Sequence, residues 1–315
     1  MKYGFGIDIG GTTVKLGFFT QAGELLEKWE IPTDKSDCGK NILPHVAAAM
    51  EDCLHRRSVE KTDVLGAGIG VPGPVDGQGV VNGCINLGWG VVDVPGEMKK
   101  LSGFSAACAN DANIAALGEC WKGGGEGKNS LVLATLGTGI GGGIVIDGKI
   151  IPGAHGAGGE IGHIPMNPEE EESCNCGKKG CAEQYGSATG LVNLAKRTLA
   201  TADMDSSLRF CDPLTARDIF RAHAEGDKLA AEIVEDYCRF LGRFLAVICC
   251  VVDPEIVVLG GGVSKAGEPL LEKTRAYFVK EVFHPGRCIP FALAELGNDA
   301  GIYGGMKMAL NSFGG

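Results

Sequence analysis

The sequence predicts an α/β protein of two domains, and three observations carry that expectation. Segments that read as buried strands, such as VLGAGIGV and EIVVLG, alternate with segments of helical spacing such as 41–57 and 230–252, the alternation that builds layered α/β architectures. A strand, a turn rich in glycine and threonine, and a second strand open the chain and recur from Ser130, which has the look of an internal duplication. At 315 residues the chain can form one large core or two ordinary ones, and two are expected.

The opening GFGIDIGGTTVKLGFFTQAGELLEKWEIPT reads as three short strands, Phe5–Ile9, Val14–Phe19 and about Leu25–Ile31, joined by tight turns. Residues Asn41–Arg57 space their apolar positions as a helix. VLGAGIGVPG then reads as a buried strand running into a Gly/Pro loop. FSAACAND is a strand that delivers Asn110 and Asp111 to the start of the helix ANIAALGECW, and KGGGEGKN is a surface connection. From Ser130, SLVLATLGTGIGGGIVIDGKII gives strand, turn and strand, with Asp147-Gly148 closing the next hairpin. AAEIVEDYCRFLGRFLAVICCVV is a long, mostly apolar helix, and PEIVVLGGGVS is a buried strand ending in three glycines. The last periodic segment, NDAGIYGGMKMAL, is expected to be a helix that packs back on the first domain.

Composition removes several function classes. Hydrophobic residues at 44% and charged residues at 22% argue against disorder and fibrous architecture. A formal net charge of -10, without a stripe of Lys and Arg, argues against nucleic-acid binding, because phosphate contacts need clustered cations. The N-terminus shows neither a basic segment nor an apolar signal core, and no run approaches a membrane span, so a cytoplasmic protein without membrane contact is expected. The thirteen cysteines are an odd number in a chain with a large core, which favours reduced thiols over a disulfide framework. Glycine, at 51 residues, is more than twice its usual share of roughly 7%.

GTGIGG at 137–142 fits the dinucleotide pattern, but the residues after it, GIVIDGKII, continue as β-branched strand where that site needs a helix N-terminus. No GxxxxGK[ST] is present either. A Gly/Thr hairpin turn can instead cradle phosphate with main-chain N–H groups and hydroxyls. Two such turns could clamp one triphosphate: Asp8, Gly10, Gly11, Thr12 and Thr13 with Lys15 nearby, and Gly137, Thr138 and Gly139 followed by Gly141 and Gly142.

These turns, together with LGGG at 259–262, resemble the sugar-kinase, actin and heat-shock ATPase fold. GAGGEIGH followed by CNCGKKGCAE is similar to the ROK family of repressors, open reading frames and sugar kinases; NDANIAALGE, GTGIGGGIVIDGKI and YGSATG most resemble its bacterial glucokinases. The resemblance covers nearly the whole chain. It implies an actin/hexokinase-like, ribonuclease H-like duplicated fold with an inter-domain cleft. The expected division is a small domain, 1–111 with the C-terminal helix at about 299–315, and a large domain, 112–298, containing a zinc segment at 163–181.

Cys174, Cys176 and Cys181 lie within eight residues, and Gly177 and Gly180 permit a tight loop between them. Three thiolates with His163 suit tetrahedral zinc, with an iron–sulfur cluster, free thiols or a disulfide as the alternatives. Four protein ligands leave no open position, so such a metal is structural. With one ring nitrogen of His163 on the metal, the other is fixed as a donor that can meet a sugar hydroxyl. Glu160, three residues before it, and Glu183, two after the last cysteine, occupy positions that bind sugar hydroxyls in the family. The acidic run Glu169–Glu172 reads as a solvated loop face.

Asp111 follows an apolar strand and opens a helix. Helix capping is the plain reading of such a carboxylate, whereas the resemblance gives this position to the catalytic aspartate, with Asn110 fixing a neighbouring hydroxyl. The activity implied is ATP-dependent phosphorylation of glucose at its 6-hydroxyl, with Asp111 as base, Mg²⁺ near Asp8, and Gly260, Gly261 and Gly262 against the adenosine. A kinase for N-acetylmannosamine, N-acetylglucosamine or fructose is the alternative. A sugar-sensing regulator is disfavoured, since such members carry a helix-turn-helix domain ahead of the first phosphate turn. The family also implies a homodimer or homotetramer.

Overall fold

The computed structural model describes residues 1–314. The chain begins with β1 (Tyr3–Ile9), β2 (Thr13–Thr20), β3 (Leu25–Pro32), the four-residue turn α1 (Ser36–Gly39), α2 (Ile42–Arg57) and β4 (Val64–Val71). There follow β5 (Val80–Cys84), β6 (Trp89–Asp93), α3 (Val94–Ser102), β7 (Ala106–Asn110) and α4 (Asp111–Lys122). The second strand–turn–strand is β8 (Leu131–Leu136), β9 (Ile140–Ile146) and β10 (Lys149–Ile150). After it come α5 (Glu183–Gly186), α6 (Ala188–Thr201), α7 (Ala216–Ala224), α8 (Lys228–Val252), β11 (Ile256–Gly260), α9 (Glu268–Glu281), β12 (Phe291–Leu293) and α10 (Ala300–Phe313). The strands and helices expected from the sequence are all present within a few residues of their predicted ends.

Two five-stranded sheets share one plan, in the orders β3-β2-β1-β4-β7 and β10-β9-β8-β11-β12. In the first, β1 pairs antiparallel with β2 and parallel with β4. In the second, the β9–β10 hairpin turns through Asp147 and Gly148, both at positive φ, as a two-residue turn of matching twist requires. Compact packing divides the chain into one unit of residues 1–131, 143–159 and 295–315 and another of 132–142 and 160–294. The expected division at 111/112 and 298/299 separates α4 from β7; in the structure both belong to the first unit.

Helix packing accounts for that placement. Phe5, Ile7 and Ile9 alternate along β1 and are fully buried with Leu16, Phe18, Val46, Met50 and Ile69, the period of two that a sheet facing a core requires. The opposite face of β1 and β4 is lined by glycine. A Cβ on Gly6 would lie 1.7 Å from the carbonyl oxygen of Ile302, and one on Gly68 would lie 1.9 Å from that of Gly305, so α10 rests backbone to backbone on the sheet. The same closeness joins α10 to α4, where a Cβ on Gly304 would lie 1.7 Å from the carbonyl oxygen of Ile114 and one on Gly118 would lie 2.2 Å from that of Ala300. Part of the glycine excess therefore serves helix seating. Among the described residues, no helix is long and apolar enough to cross a membrane.

Candidate active site

In the first unit, the turn between β1 and β2 is closed by the Gly10 N–H donating to the carbonyl of Thr13 at 2.9 Å. Thr33, buried just beyond β3, braces it twice: its N–H donates to the Thr12 carbonyl at 2.9 Å and its hydroxyl to the Gly10 carbonyl at 2.7 Å. Asp8, at the end of β1, is held above the ordinary carboxylate value by burial, against the attraction of Lys15. A Cβ on Gly301 would lie 2.7 Å from the Asp8 carboxyl carbon, so only glycine lets the start of α10 back this side chain. The Lys15 ammonium donates to the carbonyl of Asn298 at 3.1 Å. The predicted residues Asp8, Gly10, Gly11, Thr12, Thr13 and Lys15 thus form one local cradle.

β7 delivers Asn110 and Asp111 to α4 in the same unit. The cap of α4 is Asn110: its Oδ1 accepts from the N–H groups of Ala112 at 2.9 Å and Asn113 at 3.2 Å, and its amide donates to the Gly73 carbonyl at 3.1 Å. One amide hydrogen of Asn110 is left for another acceptor. Asp111 is the first helical residue, exposed, with Oδ1 accepting from the Ala112 N–H at 2.8 Å. The capping that the sequence ascribes to Asp111 is supplied mainly by its neighbour.

In the second unit, the turn between β8 and β9 is closed by the Gly137 N–H donating to the Gly139 carbonyl at 3.0 Å. The strand that follows it removes the dinucleotide alternative. The start of α6 braces this turn: the Ala188 N–H donates to the Gly137 carbonyl at 2.8 Å, and the Thr189 hydroxyl donates to that of Thr138 at 2.9 Å. Gly260 ends β11, and Gly261, at φ 83°, has its Cα side 2.6 Å (Cβ position) from the backbone of Leu136, so LGGG lies against the strand that enters the turn.

The same unit gathers His163, Cys174, Cys176 and Cys181, whose ligand atoms all lie within 4.8 Å of one another. Tetrahedral zinc with bonds of about 2.3 Å to sulfur separates its thiolates by about 3.8 Å. The Cys176 and Cys181 sulfurs are 3.6 Å apart, and the Cys174 sulfur is 3.8 Å from His163 Nδ1, so the donor set fits such an ion. Burial pushes the Cys174 thiol up to about 12 and raises that of Cys181, while the Lys178 main-chain N–H lowers that of Cys176. Gly177 and Gly180 are both at positive φ, as the tight loop demands.

His163 Nδ1 faces the sulfurs and Nε2 faces Glu160, 3.9 Å from its Oε2. Glu183 reaches two ways: Oε1 accepts from the Cys174 thiol at 3.1 Å, and Oε2 accepts from the Ile140 N–H at 3.3 Å. Two residues after Cys181, it joins the cysteine segment to the second glycine turn through the Ile140 bond, which a zinc-bound Cys174 thiolate, having no proton to donate, would leave in place. The acidic run is exposed except at Glu170, which accepts from the Tyr185 hydroxyl. That bond holds Glu170 below its usual value, and burial lifts Tyr185 to about 12.

The profile of the ROK family matches residues 4–312. The chain belongs to the ROK family. It is 41% identical over 311 residues to a glucokinase of Halalkalibacterium halodurans, covering 95% of this chain and 92% of that one. The structure resembles the ROK hexokinase of Thermus thermophilus with a TM-score of 0.79 at 31% identity, covering 99% of this chain and 100% of that one. It also resembles a ROK glucokinase of Streptomyces griseus, solved with glucose and AMPPNP, with a TM-score of 0.73 at 30% identity over 98% and 99% of the two chains. The fold is thus the mixed α/β sugar-kinase fold that the motifs imply. Sequence reasoning passed over Thr33, Ala188 and Thr189 as supports of the ROK turns; SATG, with Ser187 capping α6 by accepting from the Gly190 N–H at 3.0 Å, carried the signal in its S-x-x-G spacing.

Proposed function

We propose that this ROK protein is a hexose kinase that transfers the γ-phosphoryl group of ATP to the 6-hydroxyl of glucose. The observation that carries the reading is the 41% identity, over 95% of the chain, to a protein named as a glucokinase. Asp111 orients the 6-hydroxyl and accepts its proton as the oxygen attacks the γ-phosphorus and ADP leaves. The remaining amide hydrogen of Asn110 meets one sugar hydroxyl; Glu160, His163 and Glu183 meet others. Main-chain N–H groups of Gly10, Gly11, Thr12 and Thr13, with Gly137, Thr138 and Gly139, hold phosphate oxygens, helped by Lys15. Gly260, Gly261 and Gly262 let the adenosine approach the backbone. Asp8, an oxygen donor beside the turn, would hold Mg²⁺ through water, and the ion would supply neutralisation of the charge that develops on the phosphates.

His163, Cys174, Cys176 and Cys181 would hold a structural Zn²⁺, whose chemistry is to fix the segment and the tautomer of His163; a closed set of four ligands activates no water. The reading places the enzyme in the cytoplasm as a dimer or tetramer.

The test pairs Asp111→Asn with ADP release against a panel of hexoses. The variant should fold and bind glucose nearly as the parent does, because Asn110 still caps α4, while kcat falls by about 10²- to 10⁴-fold. A near-parental kcat removes Asp111 as the base. A higher kcat/KM for fructose or an N-acetylated hexose than for glucose keeps the kinase and changes the sugar.

A further inference from the structure

Glu119 is a carboxylate in the interior: the residue is 1% exposed, and its oxygens are occupied by main-chain N–H groups. Oε1 accepts from Leu296 at 2.9 Å; Oε2 accepts from Glu295 and from Gly124, each at 3.0 Å. A Cβ on Gly123 would lie 2.0 Å from Oε2, so the chain leaves just enough room for the carboxylate. Burying a carboxylate costs several kcal/mol unless its hydrogen bonds are all supplied, and apolar packing would have stabilised this helix end without that demand. What the carboxylate adds is direction: it fixes three N–H groups to one point.

Those N–H groups belong to segments that matter elsewhere in the unit. Glu119 sits two turns along α4 from Asp111 at its start. Residues 295–296 run directly into Asn298, whose carbonyl holds Lys15, Asp299, which pairs with Lys28 at 2.6 Å, and Gly301, which backs Asp8. Packing between α4 and α10, through Gly118 and Gly304, sets the distance of the two helices, and the register of α4 against residues 295–301 has a polar determinant as well. Two hydrogen bonds, from the N–H groups of Glu295 and Leu296 to one carboxylate of α4, fix that register.

We propose that Glu119 is a positioning residue that locks the register of α4 against residues 295–301, so that Asp111 and the Asp8–Lys15 turn are held in productive places at once. This rests on the assignment of Asp111 as the base and of the first glycine turn to phosphate. Glu119→Gln keeps the shape but turns one accepting oxygen into a donor that faces a donor.

The experiment is a double-mutant cycle of Glu119→Gln with Asp111→Asn, read as kcat from ADP release and glucose affinity from calorimetry, well below the melting temperature of each variant. Glu119→Gln alone should lower kcat by about 10- to 100-fold, the scale of an ångström-sized misplacement, with glucose affinity within about threefold of the parent. In the Asp111→Asn background the same change should cost clearly less than it does in the parent, because one of the two groups whose relative placement it sets has already been removed. Equal losses in both backgrounds, or parental kcat with only a lowered melting temperature, overturn the proposal and leave Glu119 a structural anchor. Asp111→Asn with parental kcat overturns the assignment of the base itself, independently of Glu119. Should Glu119→Gln fail to fold, Gly123→Ala displaces the carboxylate by its added methyl while keeping the charge, and the same cycle with the same outcomes applies.

Discussion

The two glycine turns each join consecutive strands, and they differ in how they close and in what holds them: the Gly10 N–H meets the carbonyl of Thr13, the Gly137 N–H that of Gly139. The first is braced from its own sheet by Thr33 and carries charge, with Asp8 before the turn and Lys15 after it. The second has no charged residue between Leu136 and Ile140 and is braced from outside its sheet, by the start of α6 and by Glu183. One turn is flanked by charge, and the other is tied to the cysteine segment through Glu183. Perturbations of the first turn should act on phosphate charge alone, and those of the second should couple nucleotide and sugar.

Among the residues of the two turns, the largest effect is expected at Asp8. Asp8→Asn should lower kcat by about 10²- to 10³-fold, the range for loss of one preorganised charged group, while glucose affinity stays near the parent. The same change should stabilise the fold. An acid whose native value is raised binds its proton more tightly when folded, so its contribution is full below the ordinary 3.8, is lost as pH rises through the raised native value, and stays lost above it. Melting temperatures measured across this range should match at the acidic end and favour the variant at neutral pH. A variant less stable at neutral pH would contradict burial as the cause of the shift.

Cys176→Ser comes next. Elemental analysis should find one zinc per chain in the parent and much less in the variant, with KM rising for both glucose and ATP by about 10- to 100-fold. A rise for glucose alone would break the link through Glu183 between the cysteine segment and the second turn. A smaller effect is expected from Gly139→Ala, whose methyl would meet Glu183 Oε2 at 2.2 Å. Overpacking of this kind costs about 1–3 kcal/mol, but the carboxylate can swing, so KM for ATP should rise about 5- to 10-fold, with a smaller rise for glucose. Unchanged KM for both would show that Glu183 does not hold the turn. Thr33→Val should do least. It removes the hydroxyl bond to Gly10 and keeps the main-chain bond to Thr12, a loss of about 1 kcal/mol, read as a few-fold rise in KM for ATP with glucose affinity untouched.

Local signals made most of the fold legible. β1 alternates, β4, β8 and β11 are short apolar runs bounded by turns, α2 and α8 have helical spacing, and the turns have their own glycine chemistry, all of it encoded within a few residues. The cysteine segment was equally legible, because its ligands lie close along the chain and glycine spacing restricts the loop. Asn110 shows the limit of such reading. Two adjacent residues could each cap α4, and the choice depends on backbone dihedrals at one position, with φ -60° and ψ 146° putting Asn110 outside the helix.

Glycine count shows the same limit from another side. Sequence attributes the excess to turns and ligand approach, and the turns do use part of it; Gly6, Gly68 and Gly304 are instead required by α10, whose carbonyls lie where their side chains would be. Glu119 was illegible altogether. A glutamate near the end of an amphipathic helix reads as surface charge, and nothing local says otherwise. It is buried because Glu295 and Leu296, 176 and 177 residues further on, bring their N–H groups to it. The sequence alone therefore determined the elements, the turns and the His/Cys cluster, since these rest on near-neighbour sterics and residue spacing. Tertiary structure decided which carboxylate is buried, which residue caps and which glycine meets a backbone, since each depends on groups that only long-range packing brings within a few ångströms.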